Sequence, residues 1–377
     1  MIDDRVTVWL CALLGVGFLS VPVTHVQELR AQFLGAGAPP HWAGAAVLAV
    51  SVLLAGWSLV RKRFAWADPA WLTWSDFDGS RTRVLYHRLL RVWAARFAVV
   101  AYLTVVVGLL LGMSWPVAQA SVFVLAAGAA LVVAWPGVHS GRADLVRRFR
   151  ERMVRRTAWA FLDPWALLPS GRAVAWRAVL SGRLLVVRFV VAGMLARGRS
   201  LPVALALVAV AALAHVLFPA VDPAWWLGLG AYGAGMPFAG GLAALTRSRG
   251  LRRWVGHSDR EIRVTAAVVL MLFMAAWAGL AVALGVSLTG HGALALVVAA
   301  AAVVRTVTRS GMDFGNLGVT SVAGILMPVG LLVQTLHGPD LLVICLLLLG
   351  TGALLAVPVS LALSAAATIG FRTPRPG

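Results

Sequence analysis

Two short stretches of the chain place tryptophan, a turn, carboxylates and arginines in the same order. The first reads Trp74-Ser75-Asp76-Phe77-Asp78-Gly79 and runs on into Arg81 and Arg83. The second reads Trp254-Val255-Gly256-His257-Ser258-Asp259-Arg260-Glu261-Ile262-Arg263. Arginines alone would suffice to anchor a chain at an anionic surface. The paired carboxylates and turn residues Asp76, Asp78 and Asp259 are not needed for that, and they suit charge-assisted contacts with a partner. Trp74, Asp76, Asp78, Arg81, Arg83, Trp254, Asp259, Arg260 and Arg263 are therefore the candidate contact residues.

Other chemistry finds few groups to work with. Lys62 is the sole lysine and lies between Arg61 and Arg63, so the chain has no phosphate-binding loop with lysine between glycine and serine or threonine. Cys11 and Cys345 sit in apolar runs without a metal-ligating neighbour, and each reads as a small buried hydrophobe. There is no H-E-x-x-H and no G-x-S-x-G. None of the 14 acidic residues falls centrally in an apolar run, Asp222, Asp313 and Asp340 being at ends or loops. Ion-coupled carriers place such groups near the membrane midplane, which argues against an antiporter. Gln119, His215 and Gln334 read as helix-to-helix hydrogen bonds. The glycines Gly228, Gly230, Gly233, Gly235, Gly240 and Gly241, with Pro237, read as close packing or a break. No catalytic, cofactor-binding or metal-ligating residue is expected.

The elements that must carry these stretches are apolar helices. Apolar residues make up 60% of the chain and charged ones 12%, with mean hydropathy +0.87, far from the composition of a soluble domain. The net charge of +19 comes from arginines flanking apolar runs, so anionic lipid, not nucleic acid, is the expected partner. Runs at 6–24, 42–60, 93–112, 115–135, 201–218, 224–245, 264–286, 292–304, 320–336 and 341–363 approach the length of a crossing. They predict an all-α polytopic bundle of about ten transmembrane helices. Every lysine and arginine except Arg30 then falls on one face, which the positive-inside rule makes cytoplasmic, with both termini inside and His337 outside.

The whole of 1–377 reads as one membrane domain, with halves at 1–200 and 201–377 suggested by a weak repeat at an offset of 180. Cytoplasmic mass gathers at 61–92, 136–200 and 246–263. From Asp144 onward, Val146, Phe149, Met153, Thr157 and Ala160 share one helical face opposite a run of arginines, a basic amphipathic helix for the inner leaflet or a partner. Asp163-Pro164 reads as a helix start. The stretch 184–195, interrupted by Arg188, reads as an interfacial elbow and not as an eleventh crossing.

The turn after Trp74 or Trp254, followed by an arginine-rich amphipathic helix, resembles the cytoplasmic connections of ABC-2-type exporter permeases. The resemblance covers 67–112 and 247–285 and is otherwise one of hydropathy. Ten crossings exceed the usual six of that family. With its scarcity of lysine, the chain looks more like the long, poorly characterised permeases of actinobacteria. The resemblance implies a multi-pass plasma-membrane subunit, not itself an enzyme, coupled through the candidate residues to a separate ABC ATPase. A homodimer and inner-leaflet anionic lipids complete the expected partners. Two alternatives are a membrane enzyme acting on lipid-linked substrate and a non-transporting scaffold or regulatory protein. For the first, Asp78-Gly79-Ser80-Arg81 resembles only the start of the CDP-alcohol phosphatidyltransferase signature, and Val92 and Arg96 stand where its glycine and aspartate belong.

Overall fold

The computed structural model describes residues 20–21, 24–34, 42–43, 46–47, 49–51, 66–77, 81–111, 126–128, 141–160, 171, 185–309, 319–322, 325–328 and 336–369. Its helices are α1 (Val26–Leu34), α2 (Pro69–Phe77), α3 (Arg81–Leu110), α4 (Arg142–Ala160), α5 (Leu185–Leu195), α6 (Leu201–Leu217), α7 (Pro223–Gly235), α8 (Gly240–Arg247), α9 (Arg249–Val255), α10 (Asp259–Ala283), α11 (Gly290–Thr308), α12 (Pro339–Gly350) and α13 (Ala356–Ile369). Two short strands, β1 (Val319–Val322) and β2 (Ile325–Pro328), pair antiparallel with Val319 opposite Pro328. The chain forms two compact units, Met1–Val154 with Leu217–Ala220, and Arg155–Val216 with Val221–Gly377.

Among the described residues, Gly198–Leu217, Asp259–Ala283 and Gly290–Thr308 are long and apolar enough to cross a bilayer. Phe97–Leu110, α5, α12 and α13 are shorter apolar helices. On α10, Ile262, Ala266, Leu270, Met274 and Ala278 recur at helical spacing on the buried face. Val264, Val268 and Leu272 line the opposite side and are exposed. A helix apolar on both faces meets packed protein on one side and hydrocarbon on the other.

The second unit is built around α11, which is buried along almost its whole length and packs against α7, α10, α12 and α13. Small residues make the close approach possible: Gly228 of α7 lies against Ala295 and Leu346, and Gly235 against Met274 and Val303. These pairings run in the same sense along α7 and α11, so the two helices are parallel. The Trp277 ring fills the space beside Gly230, and its indole N–H donates to the Ala204 carbonyl at 2.9 Å. In the first unit, α1 packs against α3, and Ser51 and Thr104 share a buried hydrogen bond of 2.6 Å.

Several expectations are corrected here. The run 224–245 is not one helix: a 3₁₀ turn at Met236–Ala239 separates α7 from α8, because Pro237 lacks the N–H that the α pattern requires. The run 292–304 extends to Thr308 and takes Arg305 into its last turn. Within 320–336, residues 319–322 and 325–328 are strand, in a stretch rich in the β-branched types Val319, Thr320, Val322 and Ile325. The run 341–363 is divided at 351–355 into α12 and α13, which pack on each other and are therefore antiparallel.

The elbow at 184–195 is a helix inside the second unit. Val186, Phe189, Val190, Ala192 and Gly193 are buried, with Gly193 backed directly onto Gly241. On α4, Met153 is exposed, whereas Leu145, missing from the expected face, is fully buried. The expected helix start at Asp163-Pro164, and Cys11 and Lys62, lie outside the described residues.

Candidate functional site

The first candidate stretch is held by a small core of its own. Asp68 caps α2 by accepting a hydrogen bond from the Ala70 amide at 2.9 Å, and Pro69 occupies the first helical position, where its missing N–H costs nothing. Ala67 and Leu72 then pack against Leu85 of α3 and Leu145 of α4, with Trp71, Tyr86 and Val146 around them. The Ala67 amide reaches the Leu145 carbonyl at 3.4 Å. Trp66 packs against Phe149 with ring centroids 5.7 Å apart and the rings tilted by 35°, and the Arg152 guanidinium lies 4.4 Å over the Trp66 ring. Burying one face of α2 forces the other outward. Trp74 and Phe77, three residues apart on that face, are 73% and 83% exposed.

Arginine and carboxylate meet beside this aromatic pair. Arg142 stands 3.6 Å from Asp76 and donates to the Thr73 hydroxyl at 2.9 Å. Arg81 and Arg83 lie in the first turn of α3. Helix dipoles disfavour cations there, so helix chemistry does not account for them. Asp78 lies outside the described residues.

The second stretch is a tight helix-turn-helix. The Ser248 hydroxyl caps α9, and Gly256, at φ +67°, ends it in the left-handed region that glycine adopts without strain. The His257 Nδ1 donates to the Val255 carbonyl at 2.7 Å. Ser258 and Glu261 then start α10 with a reciprocal capping box, at 3.2 Å and 3.0 Å. Asp259 is engaged across the turn by Arg252 at 3.2 Å. Arg260 is exposed, Arg263 is half-buried, and Trp254 lies in α9.

The Trp74 group belongs to the first unit and the Trp254 group to the second. In each, a carboxylate that distinguished the stretch from a plain anchor is engaged locally, Asp76 by Arg142 and Asp259 by Arg252. The spacing Ser258-x-x-Glu261 carried the capping signal in the sequence.

A third cluster, at the end of α11, was not anticipated from the sequence. Arg305 Nη2 donates to Asp340 Oδ2 at 2.8 Å and contacts His337 Nδ1 at 3.3 Å. Asp340 Oδ1 accepts from the Gly338 and Leu341 amides at 2.6 Å and 2.7 Å. Next to Arg305, Thr306 shares a 3.1 Å hydrogen bond with the Tyr232 hydroxyl of α7 and donates to the Ala302 carbonyl at 2.7 Å. Arg305 and Asp340 are 35 residues apart and meet only in space. An ion pair of this length puts both at one end of α11, whereas the sequence reading set them at opposite ends of its predicted crossings.

Among the described residues, no group of three or more histidine, cysteine, aspartate or glutamate side chains is placed to hold a metal ion. Residues 195–317 match the model of a family described as a family of unknown function (DUF6297). No curated protein and no solved structure matches the chain.

Proposed function

We propose that the chain is the membrane-spanning permease subunit of an ATP-driven exporter, whose hydrolysis is supplied by a separate nucleotide-binding subunit. The observation that carries this reading is the exposed pair Trp74 and Phe77, presented by a helix with its own core. Leu85, against which α2 packs, lies 12 residues before Phe97, where the apolar stretch of α3 begins. At about 1.5 Å per residue, that is about 18 Å of helix. The headgroup layer on each side of a bilayer is roughly 5–8 Å thick. An upright α3 therefore lifts the aromatic pair beyond the headgroups, to a height that suits a soluble partner better than lipid.

The revised elements keep the proposed parity. From Gly198 onward, α6, the broken α7–α8, α10, α11, α12 and α13 alternate in direction. Arg305 and Asp340 meet at one end of α11, so this reading starts α12 on the face where α11 ends. With one expected crossing lost and another folded into the α12–α13 hairpin, this reading keeps the C-terminus on the arginine-rich, cytoplasmic face of the plasma membrane.

A scaffold that docks a cytoplasmic partner without transport is the second reading, favoured by the local engagement of Asp76 and Asp259. The two are separated by purifying the tagged chain from its native host. Recovery of an ATP-hydrolysing protein, and its loss in the Trp74→Ala, Phe77→Ala double variant, supports the permease. If no nucleotide-binding protein accompanies the chain, the permease reading falls.

A further inference from the structure

The cluster of Arg305, His337 and Asp340 joins two helices through a histidine that must be neutral to fit. A guanidinium has only donors, so the 3.3 Å contact from Arg305 Nη2 requires His337 Nδ1 to accept, with the ring proton on Nε2. The same Nη2 holds Asp340 at 2.8 Å. Protonating Nδ1 would set two N–H donors and two positive charges against each other. It would also create a new cation competing with Arg305 for Asp340.

The backbone at this point has no slack. Gly338 sits at φ +122°, and a Cβ there would overlap the Thr306 hydroxyl. Thr306 is in turn bound to Tyr232 of α7. The chain leading into α12 is thus pressed against α11 where α11 packs on α7.

We propose that Arg305, His337 and Asp340 form a proton-operated latch, closed while His337 is neutral, that fastens the start of α12 to the end of α11. Among the described residues, the charged or titratable groups facing His337 are Arg305 and Arg309 from the α11 end and Asp340 from α12, with Tyr232 of α7 next to Arg309 and Asp340. Burial pushes the His337 pKa below its ordinary value of 6.5. Arg305 and Arg309 push the same way, and Asp340 opposes them. The open state therefore binds more protons than the closed one. Latch stability is complete above pH 6.5 and is lost as pH falls from there towards the lowered pKa of the closed state.

The test is hydrogen exchange on the full chain in lipid nanodiscs, read as protection factors corrected for intrinsic rates, over 336–345 and over 262–281 as reference. Between pH 7.5 and pH 5, protection at 336–345 should fall severalfold, up to the limit of about thirtyfold set by pH 5 lying 1.5 units below the ordinary value of 6.5. The reference helix should hold. His337→Gln, which keeps an acceptor and cannot be protonated, should leave 336–345 equally protected at both pH values. Should that variant not fold, the imidazole titration of the native chain decides: the closed latch places His337 below 6.5, and Arg305→Met moves it upward. An unchanged pH response in His337→Gln, or a His337 titration unaffected by Arg305→Met, overturns the latch.

Discussion

Trp277 shows how one side chain can set the spacing of three helices. Its ring occupies the space beside Gly230 of α7, and its N–H reaches the Ala204 carbonyl of α6. Gly230→Ala should cost about 1–3 kcal/mol, because the new methyl meets the far edge of the indole in a packed interior. Phenylalanine lacks that edge. Gly230→Ala combined with Trp277→Phe should therefore be less destabilised than the sum of the single variants, as read from thermal unfolding in detergent. Simple additivity would show that the two side chains do not share this space. The same scale explains what the sequence concealed. Glycines in 228–241 could be read as packing residues, but their partners Leu346, Met274 and Trp277 lie far along the chain. The Arg305–Asp340 pair was equally hidden, since no local spacing signals a contact across 35 residues.

At the scale of elements, local chemistry was legible wherever it was self-contained. Asp68-Pro69 starts α2 as its residue types require. The Ser258–Glu261 capping box fixes where α10 begins. Ser258→Ala should cost about 1 kcal/mol. The loss should appear as faster hydrogen exchange confined to the first turn of α10, and uniform loosening of α10 would contradict the capping role. The misread elements share a physical cause. A run of apolar residues at 320–336 or 341–363 has the composition of a crossing, yet hydropathy cannot reveal where the chain turns back within it. The turns depend on β-branched pairing in one case and on the 351–355 link in the other. Reporter fusions after Arg309 and after His337 should therefore report the same, cytoplasmic face. Opposite faces would restore a crossing between them and contradict the Arg305–Asp340 pair.

For the molecule as a whole, composition identified helices fit for a membrane, and the described helices Gly198–Leu217, Asp259–Ala283 and Gly290–Thr308 have that length and character. What composition could not separate was anchoring from docking, because arginines serve both. The distinction rests on Trp74 and Phe77, whose exposure follows from Leu72, Leu85 and Leu145 being buried behind them. Burying two such aromatics in a partner's pocket contributes on the order of 2 kcal/mol each or more, enough to make them the anchor of an interface.

The most direct measurement is the ATPase activity of the co-purified nucleotide-binding protein, reconstituted in nanodiscs with the wild-type chain or with the Trp74→Ala, Phe77→Ala variant. The permease account predicts that the wild-type chain stimulates hydrolysis and that the double variant, though still folded, loses the stimulation. Equal hydrolysis with either chain, or with empty nanodiscs, would contradict it.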